Sequence, residues 1–149
     1  MREQFNSQLK EAMKAGDKRR VATIRMITAA LKDRDIEARG AGKTISDDDI
    51  LALLQKMVKS RQESAEIYEK AGREDLSTQE REEIAIISEF LPKQMSDEEV
   101  TAAIKAAMAE TGAAGIKDMG KVIAALKGKY TGQMDFAKAS ASVKAMLAG

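Results

Sequence analysis

A single proline, Pro92, interrupts a chain of 149 residues in which Ala, Lys, Glu, Leu, Met and Gln dominate. All six are good helix formers. Only three Phe and two Tyr are present, and no Val-Ile-Thr alternation supports strands. The fold class is therefore all-α. Helix breakers cut the chain into about seven helical segments, over Arg2–Ala15, Lys18–Glu37, Asp47–Lys70, Thr78–Leu91, Asp97–Glu110, Met119–Lys127 and Phe136–Leu147. Pro92 disfavours helix at Leu91 and has no amide to donate, which makes it the domain boundary. The reading is an N-terminal four-helix domain over 1–92 and a C-terminal three-helix tail over 93–149. At under 60 residues the tail has room for only a small core and is marginal alone.

The alphabet excludes several chemistries. With no Cys and no His there is no thiolate nucleophile, no disulfide, no Cys/His zinc site and no His base. A third of the residues are charged, yet the net charge is only +1, a balance that suits a folded chain. Met1 runs straight into Arg2-Glu3-Gln4, and no apolar run approaches the ~20 residues needed to span a bilayer. The expectation is a cytoplasmic protein with no membrane partner.

Several helix starts carry a mechanism. Ser46 before Asp47-Asp48-Asp49 places a hydroxyl and three carboxylates at the positive end of a helix dipole, with Ile45 and Ile50 at staple spacing. Ser96-Asp97-Glu98-Glu99 reads as a capping box with Met95 and Val100 as its staple, and Ser77 with Glu80 repeats the box without the staple. The acidic triplet resembles a cation site, but consecutive helical residues point in different directions and the dipole explains them, so no metal is assigned.

Helical phase sorts the faces. Ile50, Leu54, Met57, Val58, Ala65 and Tyr68 share one stripe, and Arg61 falls within it. Val21, Ile24, Ile27, Thr28 and Leu31 form another, which includes Arg20. Ile84, Ile87, Phe90 and Leu91 form a third, which includes Glu83. An isolated buried charge is costly, so Arg20 or Arg61 should meet Glu83. The plain reading is an interior ion pair that sets helix register; the functional alternative is a polar cleft lined by these residues.

Charge is uneven along the chain. Residues 1–92 carry 17 basic and 18 acidic side chains, whereas 112–149 carries six lysines against Asp118 and Asp135. Asp118 is the expected N-cap of the helix opening Met119-Gly120-Lys121, where Gly120 would leave the first-turn amides open to a phosphate. Gly128 and Gly132 are expected to flank Lys129-Tyr130-Thr131 in a loop. Such a lysine-fringed surface suits a nucleic-acid backbone and equally a plain solvated face. With no arginine and one nearby aromatic, Tyr130, base reading is not supported.

Taken together, Asp17-Lys18-Arg19-Arg20-Val21-Ala22-Thr23-Ile24-Arg25, Lys59-Ser60-Arg61-Gln62-Glu63-Ser64, Ala71-Gly72-Arg73-Glu74-Asp75-Leu76, Glu83-Ile84, Phe90-Leu91-Pro92-Lys93-Gln94-Met95-Ser96 and Asp118-Met119-Gly120-Lys121-Val122 resemble the YqeY family in order and spacing. The last helix, with Phe136 and Ala137 after Asp135, departs from that pattern. The resemblance implies a two-part helical fold similar to the tail region of the B subunit of the Asp/Glu-tRNA amidotransferase. In such settings the tail helps hold tRNA while other domains do the chemistry. It implies tRNA contact at Gly120 and Lys121 with Lys117 adjacent, and Lys127, Lys129, Lys138 and Lys144 complete the candidate surface. Arg20, Arg61, Arg73 and Glu83 also match family positions and are read as mainly structural.

Carbon–nitrogen ligase activity with glutamine as amido donor would need a glutaminase nucleophile, an ammonia route and an ATP–Mg²⁺ site. No Gly-rich phosphate loop or converging carboxylates supply these, so that activity belongs to the larger enzyme that shares the tail. The expected function is a non-catalytic tRNA-binding or tRNA-enzyme accessory module without cofactor. Its partners would be a tRNA or a tRNA-linked enzyme, with no DNA. The competing reading is a protein–protein adaptor that docks on a synthetase or another cytoplasmic partner.

Overall fold

The computed structural model describes residues 1–148. Among them are seven α-helices, one 3₁₀ turn over Ile116–Asp118 and no strand. The helices are α1 (Arg2–Ala15), α2 (Lys18–Gly40), α3 (Asp47–Lys70), α4 (Glu74–Ser88), α5 (Asp97–Thr111), α6 (Met119–Tyr130) and α7 (Phe136–Ala148). Two compact units result, Met1–Leu91 and Pro92–Gly149.

In the first unit, Gly16 ends α1 in the left-handed region at φ 69°, where a side chain would be strained. Asp17 follows directly and caps α2, its Oδ1 accepting from the Arg20 amide at 3.1 Å. α1 and α2 thus form a tight helical hairpin. α3 starts at Ser46 with a reciprocal box: the Asp49 amide donates to Ser46 Oγ at 3.2 Å, and the Ser46 amide donates to Asp49 Oδ2 at 3.0 Å. That amide holds the Asp49 carboxyl below its usual range. α4 packs along α3 and also against α2. The core joins Ile24, Ile27 and Leu31 of α2 to Ile50, Leu53 and Leu54 of α3 and Ile87 of α4. Phe5 meets Phe90 edge to face at 4.9 Å between ring centroids, closing that core.

The start of α4 differs from expectation. It begins at Glu74 rather than Thr78, so Ser77 is a buried interior residue whose hydroxyl donates to the Glu74 carbonyl at 3.1 Å. Glu74 and Asp75 already satisfy the dipole one turn earlier, and Arg73 locks onto Asp75 through two hydrogen bonds of 3.2 and 3.1 Å.

In the second unit, Ser96 and Glu99 form a complete capping box, which lowers the Glu99 carboxyl chiefly through the Ser96 amide. The core consists of Ala103, Ile104, Ala107, Val122, Leu126, Met134, Ala139 and Val143. Three of these eight are alanines, so the helices approach closely but bury little area per residue. Segment 94–95 is tied to the α6–α7 connection, with the Met95 amide donating to Gln133 O at 2.9 Å and Gln94 Nε2 to Gly132 O at 2.7 Å. The residues Gly128, Lys129 and Tyr130, expected in a loop, continue α6 instead. Tyr130 packs on the core and carries the helix past a glycine that alone would have weakened it.

Candidate nucleic-acid interface

On α6, Val122 and Leu126 are fully buried, which turns Gly120, Ala124 and Gly128 outward at four-residue intervals. A Cβ added at Gly120 or Gly128 would meet nothing within 4 Å. Neither glycine is therefore demanded by packing within the chain. Lys121 and Lys127 stand six residues apart, so they border this bare strip on its two sides, about 120° from each other. Gly120 and Lys121 lie in the first turn, with exposed Lys117 in the preceding 3₁₀ turn.

Asp118 does not cap α6 with its side chain. Its Oδ2 accepts from the Ala114 amide at 3.0 Å, closing the 3₁₀ turn, and that bond holds its carboxyl below the usual range. Its other oxygen lies 3.9 Å from Lys121 Nζ, at the limit of an ion pair, and the Lys121 side chain is 71% exposed. Lys121 is therefore tethered loosely and remains available.

The remaining lysines are dispersed. Lys129 donates to Glu110 of α5 at 2.8 Å, and this partner raises its ammonium above the usual lysine range. Lys127 Nζ sits 5.9 Å from the Phe136 ring centroid, a cation–π contact toward α7. Lys138 and Lys144 are exposed on α7 but six residues apart, so they point about 120° from each other. Sequence reasoning missed the contribution of Ala124 and Gly128; the four-residue spacing of Gly120, Ala124 and Gly128 was the readable signal.

In the first unit, Arg61 Nε donates to Glu83 Oε2 at 3.0 Å, with side chains only 16% and 8% exposed. Arg61 also reaches the Met57 carbonyl and Met26 Sδ, and Gln79 donates to the other Glu83 oxygen at 3.3 Å. Every strong group in this cluster is spent on another. Burial, with Glu83 adding repulsion, raises the carboxyl of neighbouring Glu80. Arg20 does not reach Glu83. It donates instead to Glu89 Oε2 at 2.5 Å and to Gln8 Oε1 at 2.8 Å, tying α2 to the C-cap of α4 and to α1. A cleft of about 230 Å³ between α1 and α2 is lined by Arg2, Phe5, Leu31 and Asp35 among others, and Arg2 and Asp35 close on each other at 2.8 and 2.6 Å. Among the described residues, no helix is long and apolar enough to cross a membrane.

Comparison with known proteins adds identity to this geometry. The mitochondrial altered inheritance of mitochondria protein 41 of Lachancea thermotolerans is 36% identical over 83 residues, 56% of this chain and 43% of that protein. Its namesake in Eremothecium gossypii is 32% identical over 56% of this chain and 44% of its own length. An uncharacterised protein of Schizosaccharomyces pombe is 29% identical over 62% of this chain and 73% of its own. The chain thus spans under half the length of the two proteins named for mitochondrial inheritance. Those names correct the cytoplasmic expectation, because the relatives are named as mitochondrial and a polar opening stretch does not fix a compartment. Residues 2–147 match the model of the family described as Yqey-like protein, and the chain belongs to that family.

Proposed function

We propose that this chain works as a four-helix part over 1–92 and a three-helix tail over 93–149, and that the tail grips the phosphate backbone of a tRNA, alone or beside a tRNA-linked enzyme. The observation that supports this reading is the bare strip Gly120–Ala124–Gly128 between Lys121 and Lys127. A helix interior normally disfavours glycine by about 0.8–1 kcal/mol relative to alanine. Two glycines that no internal contact requires are accounted for by an outside backbone that comes close. The lysine heads then meet phosphates on either side of the contact. Recognition of this kind follows shape and charge rather than base identity, and it makes no bond. Two of the relatives are named for inheritance of mitochondria, so the reading rests on this surface and on the resemblance of the tail.

Titration of mixed tRNA against the full chain tests it. With about three phosphate contacts, affinity should fall by roughly 40-fold between about 50 and 200 mM salt. The K121E/K127E double variant should bind at least about tenfold more weakly with unchanged helix content, whereas K138E should change affinity little. Absence of tRNA binding at the lower salt removes the proposal.

Gly128→Ala separates packing from binding. It should stabilise the second unit by about 0.5–1 kcal/mol, read as a higher melting temperature, while weakening tRNA. A variant that gains stability and binds tRNA as before would show that the strip is not the contact.

A further inference from the structure

α2 carries a pattern that its own unit does not use. Lys18, Arg25, Lys32 and Arg39 recur every seven residues, and Ala22, Ala29 and Ile36 recur every seven between them. The steps alternate four and three, the spacing of one seam of a coiled coil. All seven residues are exposed, Ile36 at 59%, while Ile24, Ile27 and Leu31 on the far side fill the core. The row is about 32 Å long with a cation every ~10.5 Å, and it drifts by about 20° per heptad around the helix.

The charges along it are unspent. Among the described residues Lys18, Arg25 and Lys32 form no ion pair, and Arg39 has only a longer-range attraction to Asp35. Asp35 itself is held by Arg2 at 2.6 Å. The remaining acids of the helix, Asp33 and Glu37, lie about 60° or more around from the seam. Four like charges at this spacing are screened from one another at physiological salt, so the row costs the fold little.

We propose that this face of α2 is a docking seam for an acidic α-helix of a partner protein, with a carboxylate at every seventh residue and apolar side chains between. Ala22 and Ala29 let a second helix come to short interaxial distance, and Ile36 gives it one apolar anchor. A partner helix that coils gently left-handed around α2 follows this drift and meets each cation in turn. An A-form duplex instead winds its phosphates away from such a line and has no use for Ile36. One apolar side chain is also too little to hold a lipid surface. The proposal is independent of the tRNA reading and gives the adaptor reading a defined surface.

The test uses the full chain and a dye-labelled synthetic helix of four heptads, monomeric in buffer, with Glu at one seam position and Leu at the other. Fluorescence anisotropy should show binding below roughly 100 µM that weakens at least about tenfold in R25E/K32E and weakens also in I36E. The same peptide with Lys in place of Glu should not bind. Should R25E/K32E alter the circular dichroism, R25Q/K32Q replaces it with the same loss expected. No binding of the acidic peptide at that concentration would overturn the proposal, as would equal binding of the Lys peptide or full binding by the charge variants. So would an RNA duplex whose binding R25E/K32E abolishes while the peptide's is unchanged.

Discussion

Glu83→Ala is expected to destabilise the Met1–Leu91 unit by about 3–5 kcal/mol, because it strands Arg61 without its carboxylate in a nearly buried site. Arg61 cannot turn to water without giving up the Met57 carbonyl and its packing between helices, and it cannot lose its proton. For a unit of this size the loss corresponds to a melting temperature lower by about 15 °C or more. The double replacement R61M/E83L removes both charges and fills the space with apolar atoms, so it should recover most of the loss. Arg20→Ala provides the contrast. Its partner Glu89 is 55% exposed, so the ion pair contributes less than about 1 kcal/mol. Thermal unfolding followed by circular dichroism distinguishes these outcomes. A Glu83→Ala protein that melts within about 3 °C of the parent would refute the buried-pair account.

Leu126→Ala has the other large expected effect. Leu126 is completely buried in a core with three alanines, where few side chains are long enough to collapse into the space it leaves. The expected cost is about 2–5 kcal/mol, against a total of about 3–9 kcal/mol for a unit of this length. Hydrogen exchange should show α5, α6 and α7 losing protection while the amides of α2, α3 and α4 keep theirs. The tRNA binding proposed above should disappear with the α6 surface. Retained protection in α6 would mean that neighbouring side chains refill the site, contrary to the packing described.

Legibility in the sequence followed the locality of the cause. α3 and α5 start where Ser46 and Ser96 indicate, because a capping box is complete within four residues. The same rule misplaced α4, because Ser77 and Glu80 imitate a box inside a helix already begun by Glu74 and Asp75. Gly128 read as a breaker, yet the distant contact of Tyr130 with the core extends α6 beyond it. Periodicity put Arg20, Arg61 and Glu83 on inward faces. It could not choose between the arginines, because that depends on which turn of α2 lies beside α4. The candidate lysines read as one group because they are close in sequence. Helical phase divides them between a bordered strip on α6, an ion pair to Glu110 and two positions about 120° apart on α7. The seven-residue row of Lys18, Arg25, Lys32 and Arg39 went unread, although its phase opposite the Ile24, Ile27 and Leu31 stripe already marked it as outward.

The edge-to-face contact of Phe5 with Phe90 has a consequence for how the molecule is made. Its partners stand at opposite ends of the first unit, so during translation α1 leaves the ribosome long before Phe90 exists. The nascent chain must hold Phe5 in a provisional setting until Phe90 emerges, and only then does the unit acquire its final lock. A stall upstream of that residue would hand chaperones a chain whose Phe5 is still without its counterpart.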